Sequence, residues 1–233
     1  KPTDSIELNS SLLDELPWKL TSDFEFLEIL KKIEPVSAPL DRFAEIFNGI
    51  QTSAERPNPI YWFAGDEILS EDDDTITVKK EEKVYTIEKK ILKPYFKPTK
   101  KAEKGLTTYN SLSTDKKIIF PYDSEGHLIP VETMKTVYPG TYAYLLDYYD
   151  RLVPKCVSKE GIRDVPNATA DTWYQYGRTQ ALTAFINTPK LIVKVMAKDN
   201  PMYAMDKADM LIASGGTAGY CAVAKKVDSC YDL

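Results

Sequence analysis

A mixed α+β class follows from three features of this 233-residue chain. Short runs alternate polar and apolar residues as strands do, most plainly Thr75-Ile76-Thr77-Val78 and Lys83-Val84-Tyr85-Thr86-Ile87. Other runs carry apolar residues at helical spacing, beginning with Phe24, Leu27, Ile29, Leu30 and Ile33. The two kinds do not alternate regularly along the chain. Short-stranded sheets with packed helices are therefore expected, not a repeated strand–helix–strand unit. A hydrophobic content of 43% is enough for a core.

Taken in order, residues 1–17 are polar and irregular and read as a linker from an upstream domain, with one main domain over 18–233. A small helical part is expected over 18–48. Ser22-Asp23 offers an N-cap and Glu25 an acidic first turn for the helix through Ile33, which Pro35 closes. Leu40 to Phe47 repeats apolar residues in the helical manner and stops at Asn48-Gly49, a pair suited to a helix C-cap. Gln51, Thr52 and Ser53 follow, three side chains able to donate and accept hydrogen bonds. The stretch is either an ordinary capped turn or the tip of a reading element.

Ile60 to Phe63 is expected to be a strand and the acidic stretch 66–74 a loop. The runs 75–78 and 83–87 should form a hairpin around Glu81-Glu82. Glu88 to Lys93 reads as a helical turn or two halted by Pro94, residues 97–115 as a loop, and Lys117 to Phe120 as a strand. Val131–Val137 is a candidate helix, and a longer one runs from Pro139 through Leu152. Residues 158–172 are polar and loop-like, and Trp173 to Tyr176 begins an ordered aromatic element. Leu191 to Val195 is the clearest strand. The runs 202–205 and 210–213 are placed to pair with each other, and Tyr220 to Val223 follows a Gly-rich turn at 214–219.

Net charge is −5, yet the charge is uneven. Between Lys79 and Lys117 twelve lysines face five acids, so the rest of the chain carries the acidic excess, partly as Glu71-Asp72-Asp73-Asp74. Screening acts over about 8 Å, so a polyanion feels local charge before net charge. The basic tract suits nucleic acid, or equally a solvated lysine-rich surface. Fifteen tyrosines against eight phenylalanines suggest rings at a surface or groove.

No apolar run approaches the roughly 18 to 20 residues a membrane span needs, and no signal peptide opens the chain, which begins with Lys1. Cys156, Cys221 and Cys230 are too few and scattered for a disulfide framework, so a cytoplasmic setting is expected. The single histidine, His127, cannot build a histidine-based metal site, and no Cys-x-x-Cys is present. The Gly-rich 214–219 run lacks the Lys-Ser/Thr ending of a phosphate loop. Asn58-Pro59-Ile60-Tyr61 and Asn200-Pro201-Met202-Tyr203 each lack the second proline of an Asn-Pro-Pro-Tyr methyltransferase loop. A complete catalytic apparatus is not expected here.

Five stretches nevertheless form a familiar ordered series: Glu45 to Ser53, Lys90 to Lys97, Ile118 to Tyr122, Tyr144-Leu145-Leu146, and Trp173 to Gln180. Thr188 to Ile192 and Gly215 to Tyr220 continue it. The series resembles the TaqI-like target-recognition domain that accompanies N6-adenine methyltransferase domains in type II, mostly type IIG, restriction–modification proteins. The family usually has an Arg shortly after the tyrosine-leucine helix; Lys155 stands there instead, and no role is carried to it.

The resemblance implies a module that reads duplex DNA beside its own upstream methyltransferase domain, which flips an adenine and holds S-adenosylmethionine. It implies no cofactor and no methyl transfer in this fragment, and leaves open a nuclease activity of the parent. Gln51, Thr52 and Ser53 become candidates for base or phosphate contact, with Tyr174 and Tyr176 beside them. Arg178, after Gly177, is expected to read guanine, clamp a phosphate or form a structural ion pair. Lys89, Lys90, Lys93, Lys97, Lys100 and Lys101 would be backbone anchors. The competing expectation is a protein-interaction domain with a tyrosine-rich partner surface and no DNA role.

Overall fold

The structure is a computed structural model that describes residues 23–97, 113–195, 203–207, 209–213 and 219–226. The 1–17 linker, Lys100, Lys101 and most of the Gly-rich 214–219 run lie outside the described residues. The chain divides into two compact units, Lys1–Phe43 and Ala44–Leu233.

In the first unit, helix α1 spans Phe24–Ile33. Its N-cap is Asp23, whose carboxylate accepts the Phe26 amide at 2.9 Å. Two single 3-10 turns follow, Glu34–Val36 and Leu40–Arg42. The helix expected over 40–47 is not formed. It stops at the 3-10 turn, and Ala44–Asn48 is instead strand β1 of the second unit. The reason is tertiary: a complete antiparallel partner, Tyr220–Lys225 (β11), pairs with β1 from Ala44↔Lys225 to Asn48↔Cys221. Such a ladder outweighs a helical spacing over eight residues. Asn48-Gly49 is therefore a strand exit and not a helix cap.

Among the described residues of the second unit, the strands form three sheets. In the first, β11 also pairs with β8 (Lys190–Lys194), and β8 with β9 (Tyr203–Asp206), all antiparallel. The second contains β2 (Trp62–Phe63), β6 (Leu92–Phe96), β7 (Lys117–Ile119) and β10 (Leu211–Ile212) in the order β10-β6-β7-β2. The third is the meander β3 (Ile68–Glu71), β4 (Thr75–Lys80) and β5 (Lys83–Glu88). The β4–β5 hairpin forms as expected, with Glu81 and Glu82 both at positive φ, as a two-residue turn of primed type requires.

Four further expectations are corrected. The acidic 66–74 stretch is a loop only at its tip. Ile68 and its neighbours join β4, and the Asp72 carboxylate organises the turn by accepting the amides of Asp74 (2.9 Å) and Thr75 (2.7 Å). Residues 88–93 give one 3-10 turn, Lys89–Ile91, before β6 begins; Pro94 sits within that strand, exposed, ahead of the residues that pair with β10. The strands β9 and β10 do not pair with each other. The first joins β8, and the second runs parallel to β6, Leu211 opposite Tyr95. The helix expected over 139–152 breaks at Tyr148 into α3 (Pro139–Asp147) and α4 (Tyr149–Leu152); α2 is Val131–Val137.

Helix α3 is fastened to β5 by one carboxylate. Glu88 accepts the amides of Gly140 and Thr141, each at 2.8 Å, and the Thr141 hydroxyl at 2.6 Å. These satisfy donors that a helix N-terminus leaves orphaned. The core between sheets and helices is aromatic, and tyrosines dominate it. Tyr61, Tyr95, Tyr144, Tyr174, Tyr176 and Tyr220 are all fully buried. Four of these hydroxyls reach backbone carbonyls, those of Tyr61, Tyr144, Tyr174 and Tyr176: Tyr144 donates to Ile60 at 2.6 Å, Tyr61 to Tyr174 at 2.7 Å. A buried phenol needs such a partner.

Candidate nucleic-acid interface

The loop that leaves β1 is held from both sides. The Ile50 amide donates to the Ile212 carbonyl at 2.8 Å, which aligns the loop with the edge of β10. Beyond it, the Arg178 amide donates to the Gln51 carbonyl at 3.1 Å and the Gly177 amide to the Thr52 carbonyl at 3.2 Å. Gln51 and Arg178 thus face each other across a short antiparallel bridge. Ser53 turns the chain with φ of 56°, a left-handed conformation unusual for serine. Gly177 is required at that approach, because a Cβ there would lie 1.8 Å from the Ser53 Oγ.

Two of the expected readers meet here. Gln51, Arg178, Asn48, Gly49, Gln180 and Phe47 line an open cleft of about 390 Å³. Gln51 is exposed and Arg178 partly so. The Arg178 fork is held by Asp164, with Nη2 at 3.0 Å from the carboxylate and Nη1 at 3.2 Å from the backbone carbonyl, while Nη1 also donates to Gly177 O at 2.7 Å. The Asp164 side chain is 76% exposed, so the ion pair opens to solvent.

Thr52 is different. It is 2% exposed, and its hydroxyl donates to Glu55 Oε1 at 2.9 Å, so it is a framework residue and not a surface contact. Tyr174 and Tyr176 are corrected likewise. Their rings lie in the core, and their hydroxyls donate to the carbonyls of Ile129 and Ile119. Burial pushes the Tyr176 hydroxyl well above its ordinary value, so it stays a neutral donor. The core claims aromatic surface first, which no local pattern in 173–176 reveals.

The lysine tract is partly neutralised by its own chain. Lys97 pairs with Glu55 at 2.7 Å, the carboxylate that also holds Thr52 and accepts the Trp62 indole at 3.2 Å. Lys93 lies 3.5 Å from Asp209. Lys89 and Lys117 share Glu71, at 2.8 and 2.7 Å. Lys89, Lys93, Lys116 and Lys117 rim a cleft of about 260 Å³. Lys90 is exposed, with no ion pair among the described residues. Of the described anchor candidates, Lys89, Lys93 and Lys97 are each held by a carboxylate and Lys90 is not.

Sequence reasoning missed the residue at the centre of this region. Arg163 is 3% exposed, inside the polar 158–172 loop. Its guanidinium donates to the carbonyls of Leu152 (2.7 Å), Trp173 (3.2 Å), Thr52 (2.7 Å) and Gln175 (2.6 Å). It also lies over the Tyr61 ring, 5.5 Å from its centroid. Nothing in a loop of mixed polar residues distinguishes this arginine from a solvated one.

No protein-family model matches the chain. A curated protein does. Over 220 residues the chain is 30% identical to the "Type II restriction enzyme and methyltransferase RM.Eco57I" of Escherichia coli. The match takes in 92% of this chain. It is similar, along nearly its whole length, to part of a combined restriction enzyme and methyltransferase. The chain spans about a fifth of that protein, 21% of its length. Among the described residues, no helix is long and apolar enough to cross a membrane.

Proposed function

We propose that this chain is a target-recognition module of the TaqI-like kind, reading duplex DNA for an N6-adenine methyltransferase of a type II restriction–modification protein. The observation that carries the reading is the bridge that sets Gln51 beside Arg178 in one open cleft. An amide side chain matches an adenine edge bidentately, and a guanidinium matches guanine, so together they form a two-purine reading pair for the major groove. Lys89, Lys90, Lys93 and Lys97, with Lys100 and Lys101, supply sequence-independent contacts to phosphates. The similarity to a restriction enzyme and methyltransferase supports this direction. S-adenosylmethionine and methyl transfer then belong to a catalytic domain elsewhere in the parent protein.

The competing partner-surface reading loses its main support, since six of the tyrosines it needs are core residues. The test is binding of the 233-residue chain to labelled mixed-sequence duplex DNA, followed by selection from a randomised duplex pool. We expect log affinity to fall linearly with log salt, and the selected pool to carry a short motif containing adjacent purines. Absence of duplex binding at about 50 mM salt would overturn the proposal.

A further inference from the structure

We infer that Arg163 is the positioning residue of the reading cleft: a buried cation that fixes the register of Gln51 against Arg178 without touching DNA. The inference rests on the proposed function for its purpose and on geometry for its mechanism.

A buried guanidinium ordinarily needs a carboxylate, because desolvating an unpaired charge is strongly unfavourable. Among the described residues no carboxylate lies within ion-pair distance of Arg163. Its partners are carbonyl dipoles from three separate segments, Leu152 at the end of α4, Thr52 in the loop after β1, and Trp173 and Gln175 in the aromatic segment, together with the Tyr61 hydroxyl at 3.5 Å. The Nε is buried with no hydrogen-bond partner among the described residues. Its fork therefore serves as a cross-link between backbones. A single rigid plane bonds the Thr52 carbonyl through Nη2 and the Gln175 carbonyl through the same nitrogen. These two carbonyls flank the bridge in which Gly177 and Arg178 donate to Thr52 and Gln51. The Thr52 carbonyl is thus shared between the Arg163 fork and the Gly177 amide, so the bridge and the cross-link stand or fall together.

The next residue completes the arrangement. Asp164 follows Arg163 in the chain, and its carboxylate and carbonyl hold the Arg178 guanidinium. Fixing Arg163 thereby fixes the point from which Asp164 aims Arg178. Lysine cannot reproduce this, since its ammonium has no planar fork to span two carbonyls.

Two measurements test the inference. The first uses the unmodified chain. Native-state hydrogen exchange of the Gly177 and Arg178 amides should match the slowest amides of β4 and β5, because a locked bridge opens only with the whole unit. Exchange at these two amides by an independent local opening would overturn the inference. The second uses Arg163→Lys. In the folded variant these two amides should exchange at least about tenfold faster, with β4–β5 amides unchanged. Discrimination at the bases that depend on Gln51 and Arg178 should fall, while affinity for mixed-sequence duplex stays within about threefold. A folded Arg163→Lys chain with unchanged exchange and unchanged base preference overturns the positioning role alone. An unmodified chain that binds no duplex DNA overturns the proposed function instead, and the exchange measurement tells the two failures apart.

Discussion

The backbone amide of Arg178 donates to the backbone carbonyl of Gln51, and this one bond brings an amide side chain and a guanidinium to the same cleft. On the proposed reading each side chain matches one base edge, and the fixed separation between them selects which neighbouring edges both can reach.

Gln51→Ala should relax selectivity at one base position by about 1 to 3 kcal/mol, the usual worth of a bidentate contact. Gln51 is exposed, so the melting temperature should move little. The check is a panel of single-base variants of the selected duplex, beside thermal unfolding. A uniform loss over all sequences together with early melting would make Gln51 part of the scaffold.

Gly177→Ala should be more damaging than its size suggests. The new methyl group would collide with Ser53, which already occupies a left-handed conformation. The Gly177–Thr52 and Arg178–Gln51 hydrogen bonds should lengthen or break. We expect loss of selectivity at both purine positions with duplex affinity largely kept. Retention of the selected motif by the folded variant would show that the bridge tolerates displacement.

Glu71→Gln should strengthen DNA binding rather than weaken it. Glu71 neutralises Lys117 and Lys89, and hydrogen bonds from those two hold its carboxyl down at about 2. Removing the carboxylate frees two cations, so affinity for mixed-sequence duplex should rise. The salt slope should steepen by about 0.9 for each further phosphate that a freed lysine neutralises. The same shift carries a pH signature. A carboxyl depressed in the folded state stabilises it above its ordinary value near 4.5, and that contribution fades as pH falls toward about 2. Any stability difference between the unmodified chain and the Glu71→Gln variant should therefore shrink through that acid window. Exposure of the pair keeps the difference small and salt-sensitive. Affinity that falls in the variant would contradict this account.

Lys190→Met should destabilise the second unit severely. Lys190, the first residue of β8, has a buried side chain bonded to Asp206 at 2.5 Å and to the carbonyls of Phe185 (2.9 Å) and Thr188 (3.1 Å). The variant leaves Asp206 buried without its cation, at a cost of about 3 to 5 kcal/mol. Melting temperature should drop on the order of 10 °C. The double variant Lys190→Met with Asp206→Asn should recover part of that loss, and a single variant that melts normally would show that the pair contributes little.

Local chemistry is legible where a local cause acts. The Asp23 cap and the Glu81-Glu82 hairpin are decided within a few residues, and each stands where the residues themselves put it. Misreadings come where a distant partner decides. Residues 44–48 carry a helical pattern, yet β11 makes them a strand. The runs 202–205 and 210–213 are placed to pair with each other, yet the strands formed there, β9 and β10, each find another partner in space. At the candidate site, Gln51 and Arg178 are nameable from residue type and position. Tyr174 and Tyr176 are not separable from surface aromatics, because side-chain chemistry is the same in the core and outside it. Arg163 is invisible for a similar reason: its role lies in carbonyls from three segments, none of which leaves a trace in the residues around it.

The pairing of β1 with β11 has a consequence for how the molecule comes off the ribosome. The strand that opens the second unit waits for one made much later in the chain, and so does β8, since β11 lies between them. A nascent chain can complete the β3–β4–β5 meander early, but β1 and β8 each keep an unpaired edge until residue 225 has emerged. Unpaired edges recruit other chains. A chain cut short of β11 should thus be prone to clump, with the Gln51 loop leaving a strand that has lost its β11 partner.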